Sequence, residues 1–171
     1  TRTLADGSVE TVTTRYVYDR LNQLVETTDA EGNTIAYSYD ANGKLTTITD
    51  PLGRTIINGL TSRGQTGSVT FPDGTSDTYT YDARGFKTSF TDRAGRTTTY
   101  DYDAAGRLVK QTFPNGAVFE LTYNAAGRTT AIKDARGKTH QFTQNASGFL
   151  TARQDALGNV CLLYTSPSPR D

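Results

Sequence analysis

Apolar and polar residues alternate along most of this chain in short blocks. Thr34-Ile35-Ala36-Tyr37-Ser38-Tyr39 places Ile35, Tyr37 and Tyr39 on one face of an extended strand, and Phe119, Leu121 and Tyr123 alternate in the same way. Each block is about six residues long and is bounded by Asp or Asn and Gly, so each predicts a strand between two turns. Proline is absent from the block interiors, as strand pairing requires. No helix is predicted.

The blocks recur with a fixed period. Tyr18, Tyr39, Leu60, Tyr81, Tyr102, Tyr123 and Gln144 are each 21 residues apart. Gly32, Gly53, Gly74, Gly95, Gly116, Gly137 and Gly158 keep that spacing without exception. A second ladder holds Gly43, Gly64, Gly85, Gly106, Gly127 and Gly148, with Asn22 in the first copy. Asp or Asn follows the repeat start in every copy but the third, where Thr61 stands, and Asp usually lies three residues before the glycine of the first ladder. Phe71 and Phe113 replace that Asp, inside Phe-Pro-Asp-Gly and Phe-Pro-Asn-Gly. This is turn text. Asp or Asn opens a turn by accepting a backbone hydrogen bond two residues on, and Gly supplies the positive φ of a type I turn with a bulge. These thirteen glycines are therefore read as structural turn residues.

Two turns per 21 residues leave two strands per copy. The fold class read from this is all-β: an antiparallel meander of about fourteen strands in which each repeat contacts mainly its neighbours. A twisted sheet that wide must curl or be covered, and with no helices to cover it a curled sheet is expected. Residues 1–17 read as part of a preceding repeat, with Asp6-Gly7 as its turn. Residues 18–160 hold seven repeats, starting at 18, 39, 60, 81, 102, 123 and 144. Residues 161–171 fall out of register and carry Pro167 and Pro169, so they are not expected to continue the sheet. That tail resembles translated adapter read-through; a natural linker is the alternative.

Composition fits this reading and narrows the chemistry. Thr is the over-supplied residue at 31 of 171, and apolar residues are only 35%. Lys plus Arg equals Asp plus Glu at 18 each, which argues against a nucleic-acid binder. No apolar run is long enough to span a membrane as a helix. There is no Met, which points to a processed chain or a fragment. One Cys leaves the redox compartment undetermined.

No catalytic, cofactor-binding or metal site is predicted. One His and one Cys, with Cys161 in the off-register tail, do not make a nucleophile pair. His140 occupies the position of Ile35, Ile56 and Phe119 and reads as a strand-facing ring. Single Asp residues in separate turns do not make a calcium loop. Arg54, Arg84, Arg96, Arg107 and Arg128 lie beside the turns and read as solvated. The candidate binding residues are the Tyr-x-Tyr pairs Tyr37/Tyr39, Tyr79/Tyr81 and Tyr100/Tyr102, with Tyr16/Tyr18 before them. They suit carbohydrate stacking, but cross-strand pairing that holds the sheet is the favoured role.

The text Tyr-Asp-x-x-Gly-x-Leu at Tyr39 to Leu45 and Tyr102 to Leu108, followed by Asp-x-x-Gly-Arg-Thr at Asp50 to Thr55 and Asp92 to Thr97, resembles the RHS/YD-repeat family. That family includes bacterial polymorphic toxins, toxin-complex B and C components, wall-associated proteins and teneurins. The resemblance implies a β-sheet strip spiralling into a hollow shell, secreted or on a cell surface, whose partners are further repeats and, in toxin members, an enclosed C-terminal toxin domain. Those members release the toxin by self-cleavage at an Asp-Pro-x-Gly core end. Asp50-Pro51-Leu52-Gly53 matches superficially, but it holds an ordinary turn position with five further copies after it. The expected function is therefore structural and not enzymatic: part of a shell that encloses or presents another domain. The alternatives are a carbohydrate or cell-wall binding module and, more weakly, self-cleavage at Asp50-Pro51.

Overall fold

The computed structural model describes residues 13–163, together with the backbone of 2–3 and 9–10. Every regular element in these residues is a strand. A short hairpin pairs β1 (Arg2–Thr3) with β2 (Val9–Glu10) as a sheet of its own. Among the described residues read as part of a preceding repeat, the last strand, β3 (Arg15–Tyr18), is the one that joins the main sheet.

The main sheet has 15 antiparallel strands in chain order and is not closed. After β3 come β4 (Leu24–Thr28), β5 (Thr34–Tyr39), β6 (Leu45–Thr49), β7 (Thr55–Leu60), β8 (Thr66–Thr70) and β9 (Ser76–Tyr81). Then follow β10 (Lys87–Thr91), β11 (Thr97–Tyr102), β12 (Leu108–Thr112), β13 (Val118–Tyr123) and β14 (Thr129–Lys133). β15 (Thr139–Gln144), β16 (Leu150–Gln154) and β17 (Val160–Leu162) complete it. The all-β meander expected from the sequence is what forms, with strands of six and five residues in alternation.

The sheet continues two residues past Val160, contrary to expectation. Val160, Cys161 and Leu162 pair with Gln154, Arg153 and Ala152. The reason is local. The Asp155–Gly158 turn closes like the others, through Gly158 N–H to the Asp155 carbonyl at 3.0 Å, and three backbone pairs need no tyrosine to form. The rest of the proposed tail, from residue 164, lies outside the described residues.

Two compact units divide the chain: Thr1–Tyr79 with Asp92–Ala94, and Thr80–Thr91 with Gly95–Asp171. In each, the alternation read from sequence sorts the side chains into two faces. One carries Ile35, Tyr37, Tyr39 and Ile48 in the first unit, and Phe90, Phe119, Leu121, Tyr123 and Ile132 in the second; these are half-buried. The other is rich in hydroxyls, such as Thr28 with Thr34 at 3.2 Å and Thr91 with Thr97 at 2.8 Å. No described side chain is fully buried. A sheet ordinarily covers its apolar face with a second layer, and the described residues supply none.

Candidate functional site

Consecutive strands are joined by two kinds of turn. Those that follow a tyrosine position, such as Asp40–Gly43 and Asp103–Gly106, are termed Tyr-Asp turns; those that follow the shorter strand, such as Asp50–Gly53, are termed alternate turns. Both use the same local chemistry. Gly43 N–H donates to the Asp40 carbonyl at 3.0 Å, and Asp40 N–H to the Lys44 carbonyl at 2.8 Å. The Asp40 carboxylate also accepts from Asn42 and Lys44 N–H, both at 2.9 Å. Gly106 at φ +79° and Gly95 at φ +77° are representative of the two ladders. Where Phe71 and Phe113 replace the opening Asp, the cap moves two residues on. Asp73 accepts from Thr75 N–H and Asn115 from Ala117 N–H, both at 3.0 Å.

The hairpins diverge beyond the turn. The Tyr-Asp hairpins contain a register shift next to the tyrosine position. Asp101 faces Lys110 but Tyr102 faces Leu108, so Val109 is the extra residue of a bulge. The alternate hairpins pair regularly, as with Ser89–Thr99, Phe90–Thr98 and Thr91–Thr97. A bulge bends its strand and re-aims side chains. Here it accompanies a tyrosine that reaches back to the preceding repeat. The Tyr39 hydroxyl donates to the Leu24 carbonyl at 2.7 Å, Tyr102 to Lys87 at 3.0 Å and Tyr123 to Leu108 at 2.8 Å. Where Gln144 stands for Tyr, its Nε2 donates to the Thr129 carbonyl at 3.0 Å. Where Leu60 stands for Tyr, Asn58 supplies the donor, to the Leu45 carbonyl at 3.2 Å.

A neighbouring side chain covers this clasp. Phe86 stacks on the Tyr102 ring at 5.1 Å, and the Arg107 guanidinium lies 4.6 Å from the centre of the Tyr123 ring. The same residues close over the next turn's glycine. A Cβ on Gly106 would come within 2.5 Å of the Phe86 ring, and one on Gly127 within 3.2 Å of Arg107. In the first unit Gln23 and Lys44 take these positions over Gly43 and Gly64. Arg84 and Arg128 also donate to carbonyls of the following turn, Asp103 and Asn145. Arg107 and Arg128 at Tyr-Asp turns are therefore packed, a correction to their reading as solvated, while Arg84 reaches the next turn with its side chain still 44% exposed. Arg54, at an alternate turn, is solvated as expected: it pairs with Asp50 at 2.6 Å but its side chain is 62% exposed.

At the alternate turns Gly32, Gly53, Gly74, Gly95, Gly116 and Gly137 have open space where a Cβ would stand. Contact between successive alternate turns occurs where Arg93 lies 4.2 Å from the Phe71 ring centre and 3.7 Å from the Asp73 carboxylate.

The carboxyls of several turns are held below the ordinary carboxylate range. For Asp103 the largest cause is the Arg107 N–H, opposed by partial desolvation and aided by the guanidinium. For Asp29 it is the Asn33 side-chain amide, and for Asp134 the Lys138 N–H. The Tyr102 phenol is pushed up, first by desolvation and then by the neighbouring Tyr100 and Asp82.

The Teneurin YD-shell sequence pattern matches residues 5–146. The chain belongs to the teneurin YD-shell family. The YD-shell fold also appears in solved structures. The crystal structure of TcdB2-TccC3 without its hypervariable C-terminal region superposes with a TM-score of 0.62 at 16% identity, over 81% of this chain and 9% of that one. A further crystal structure of TcdB2-TccC3 gives the same figures. The Tc holotoxin pore of Photorhabdus luminescens gives 0.57 at 21% identity, over 72% of this chain and 7% of that one. The YD-shell chain thus spans less than a tenth of each of these neighbours. No curated protein matches it.

The YD-shell repeat distributes the remaining sequence candidates along the strands and does not gather them. The outer tyrosines Tyr37 and Tyr100 pair across strands with Ile48 and Gln111, and Tyr79 lies half-buried on β9. The Lys87 ammonium stands 4.7 Å from the Tyr100 ring centre. His140 pairs across with Ile132 on the apolar face, its Nδ1 buried without a partner. Among the described residues no three His, Cys, Asp or Glu converge as metal ligands, and no helix is long and apolar enough to cross a membrane. Sequence reasoning missed the covering residues Phe86, Arg107 and Arg128 and the stand-in Asn58. A signal existed for Asn58: of the two copies that lack their tyrosine, the one with the non-polar Leu60 carries Asn two residues earlier.

Proposed function

We propose that this chain is a stretch of shell wall in a secreted or cell-surface protein, and that its apolar face looks onto another domain that the wall encloses or presents. The observation that carries this is the pairing of a clasp repeated between neighbouring copies within each unit with an apolar face that has no covering layer among the described residues. The clasp builds a wall of any length from one repeated unit. Ile35, Ile48, Phe90, Phe119 and Ile132 remain half-buried and await contact. The toxin-complex neighbours support the reading, since their structures contain the same fold within far longer chains. No residue is assigned a catalytic role. The Asp50 carboxylate, next to Pro51, is occupied by the N–H groups of Leu52 and Arg54 and by the Arg54 guanidinium.

Carbohydrate binding by the Tyr-x-Tyr pairs is the weaker reading, because the inner tyrosines spend their hydroxyls on backbone carbonyls and Tyr102 lies beneath Phe86.

Thiol accessibility in the parent protein tests the proposal. With Cys161 replaced by Ser, Ile48→Cys on the apolar face is expected to resist a bulky maleimide while Thr47→Cys on the hydroxyl face reacts. Equal labelling of the two would end the enclosed-face reading.

A further inference from the structure

The two faces of the sheet hold lysine differently. On the hydroxyl face of the second unit, lysines stand beside acids of the chain itself. Lys133 Nζ lies 2.9 Å from the Glu120 carboxylate, and Lys110 is flanked across strands by Asp101 and Glu120. Lys87 lies on the apolar face. Its ammonium stands 4.7 Å from the centre of the Tyr100 ring and 5.9 Å from that of Phe90, and no carboxylate among the described residues pairs with it. The described acids of the second unit lie in its turns or, as with Asp101 and Glu120, on the hydroxyl face. The repeat itself does not call for a cation here: the corresponding positions hold Leu24, Leu45, Thr66, Leu108, Thr129 and Leu150. The two rings favour a cation electrostatically, but they offer no lone pair to its three N–H donors. Water serves those donors while the face is open. Covering the face removes that water, and a charge taken out of water needs a partner.

We propose that the apolar face of the second unit docks a polypeptide surface that brings an Asp or Glu carboxylate to Lys87, set among apolar side chains that meet Phe90, Phe119 and Ile132. This rests on the shell-wall reading above and names the chemistry of the covered partner. The described part of the unit offers Lys87 no acid, so the pairing group comes from what the face covers. One cation among rings and aliphatic side chains matches one carboxylate on an otherwise apolar surface. A nucleic acid would meet a basic stripe, which this neutral chain does not carry. In such a contact the apolar residues supply the buried area, and the single charge pair sets the position at which the partner docks.

Zero-length carbodiimide crosslinking of the parent protein, with the joined peptides identified by mass spectrometry, tests this. Lys87 is expected to join an Asp or Glu that the sheet does not contain, while Lys133 joins Glu120 as the internal control. The crosslink is read on the unaltered chain, so it does not depend on a variant's folding. Charge reversal is the second arm. With Cys161 replaced by Ser, labelling of Ile132→Cys by a bulky maleimide reports whether the face is covered. Adding Lys87→Glu should speed that labelling by about tenfold or more, because it sets a like charge against the docked carboxylate. Lys87→Arg, and Thr99→Glu on the hydroxyl face, should not. Ile132→Cys that labels freely with Lys87 intact would remove the shell-wall reading and this inference with it. Ile132→Cys that stays protected while Lys87 joins no carboxyl, or while Lys87→Glu leaves labelling unchanged, would overturn the acidic partner and leave the wall standing.

Discussion

The Tyr-Asp turns and the alternate turns share their hydrogen bonds and their positive-φ glycine, yet the glycines of one set are packed over and those of the other face open space. Gly106 lies under the Phe86 ring, while Gly95 faces open space. Arg107 covers a tyrosine, while Arg54 reaches only the carboxylate of its own turn. The difference traces to the bulge beside the tyrosine position, present in the Tyr-Asp hairpins and absent from the alternate ones. A turn motif thus fixes how the chain reverses. The residue just after the motif and the bend of its strand decide whether the reversal also holds neighbouring repeats together.

The largest effect should come from adding one methyl to each glycine. Gly95→Ala carries only the strain of positive φ, on the order of 1–3 kcal/mol. Gly106→Ala adds overpacking against Phe86, a further ~1–3 kcal/mol. Urea unfolding should therefore rank Gly106→Ala well below Gly95→Ala, and adding Phe86→Ala should bring the two penalties together. Equal midpoints for the two single variants would break the comparison.

A smaller effect is expected from the clasp itself. Tyr123→Phe removes one hydrogen bond to a backbone carbonyl, about 1 kcal/mol. Arg107→Ala removes its cover, about 0.5–1 kcal/mol, whereas Arg54→Ala removes only an exposed ion pair and should leave the midpoint nearly unchanged. Combining Tyr123→Phe with Arg107→Ala should cost less than the separate losses imply, since both act on one turn. Full additivity, or an Arg54 effect as large as that of Arg107, would argue that the two sets of turns are equivalent.

The smallest difference is in acid. Asp29, Asp103 and Asp134 have folded values depressed below their unfolded ones. Such groups stabilise the fold above the unfolded value, about 3.9 for Asp, and that contribution is lost as pH falls through the depressed folded values. Thermal stability should therefore fall on going from pH 6 to pH 3, and Asp29→Asn should reduce the loss without removing the turn. An unchanged pH dependence in that variant would show that its carboxylate does not contribute through ionisation.

The fold was open to reading from sequence because its signals are local and repeated. A glycine every 21 residues after an Asp fixes the turns, and the alternation of Ile35, Tyr37 and Tyr39 fixes the face. The clasp was not legible for the same reason. Phe86 and Tyr102 belong to different repeats, and a bulge at Val109 leaves no mark in an Asp-Tyr-Asp text. The role of Arg107 was hidden by its type, since an arginine after a turn looks the same whether it faces water or a ring.

Strand order in the sheet equals strand order in the chain, and Tyr39, Tyr102 and Tyr123 each look backward to a carbonyl already made. During synthesis, therefore, each hairpin can settle onto the one before it as soon as it leaves the ribosome, without waiting for distant sequence. The polypeptide grows as a wall is laid, course upon course, and a stalled chain would hold finished structure up to its last complete turn.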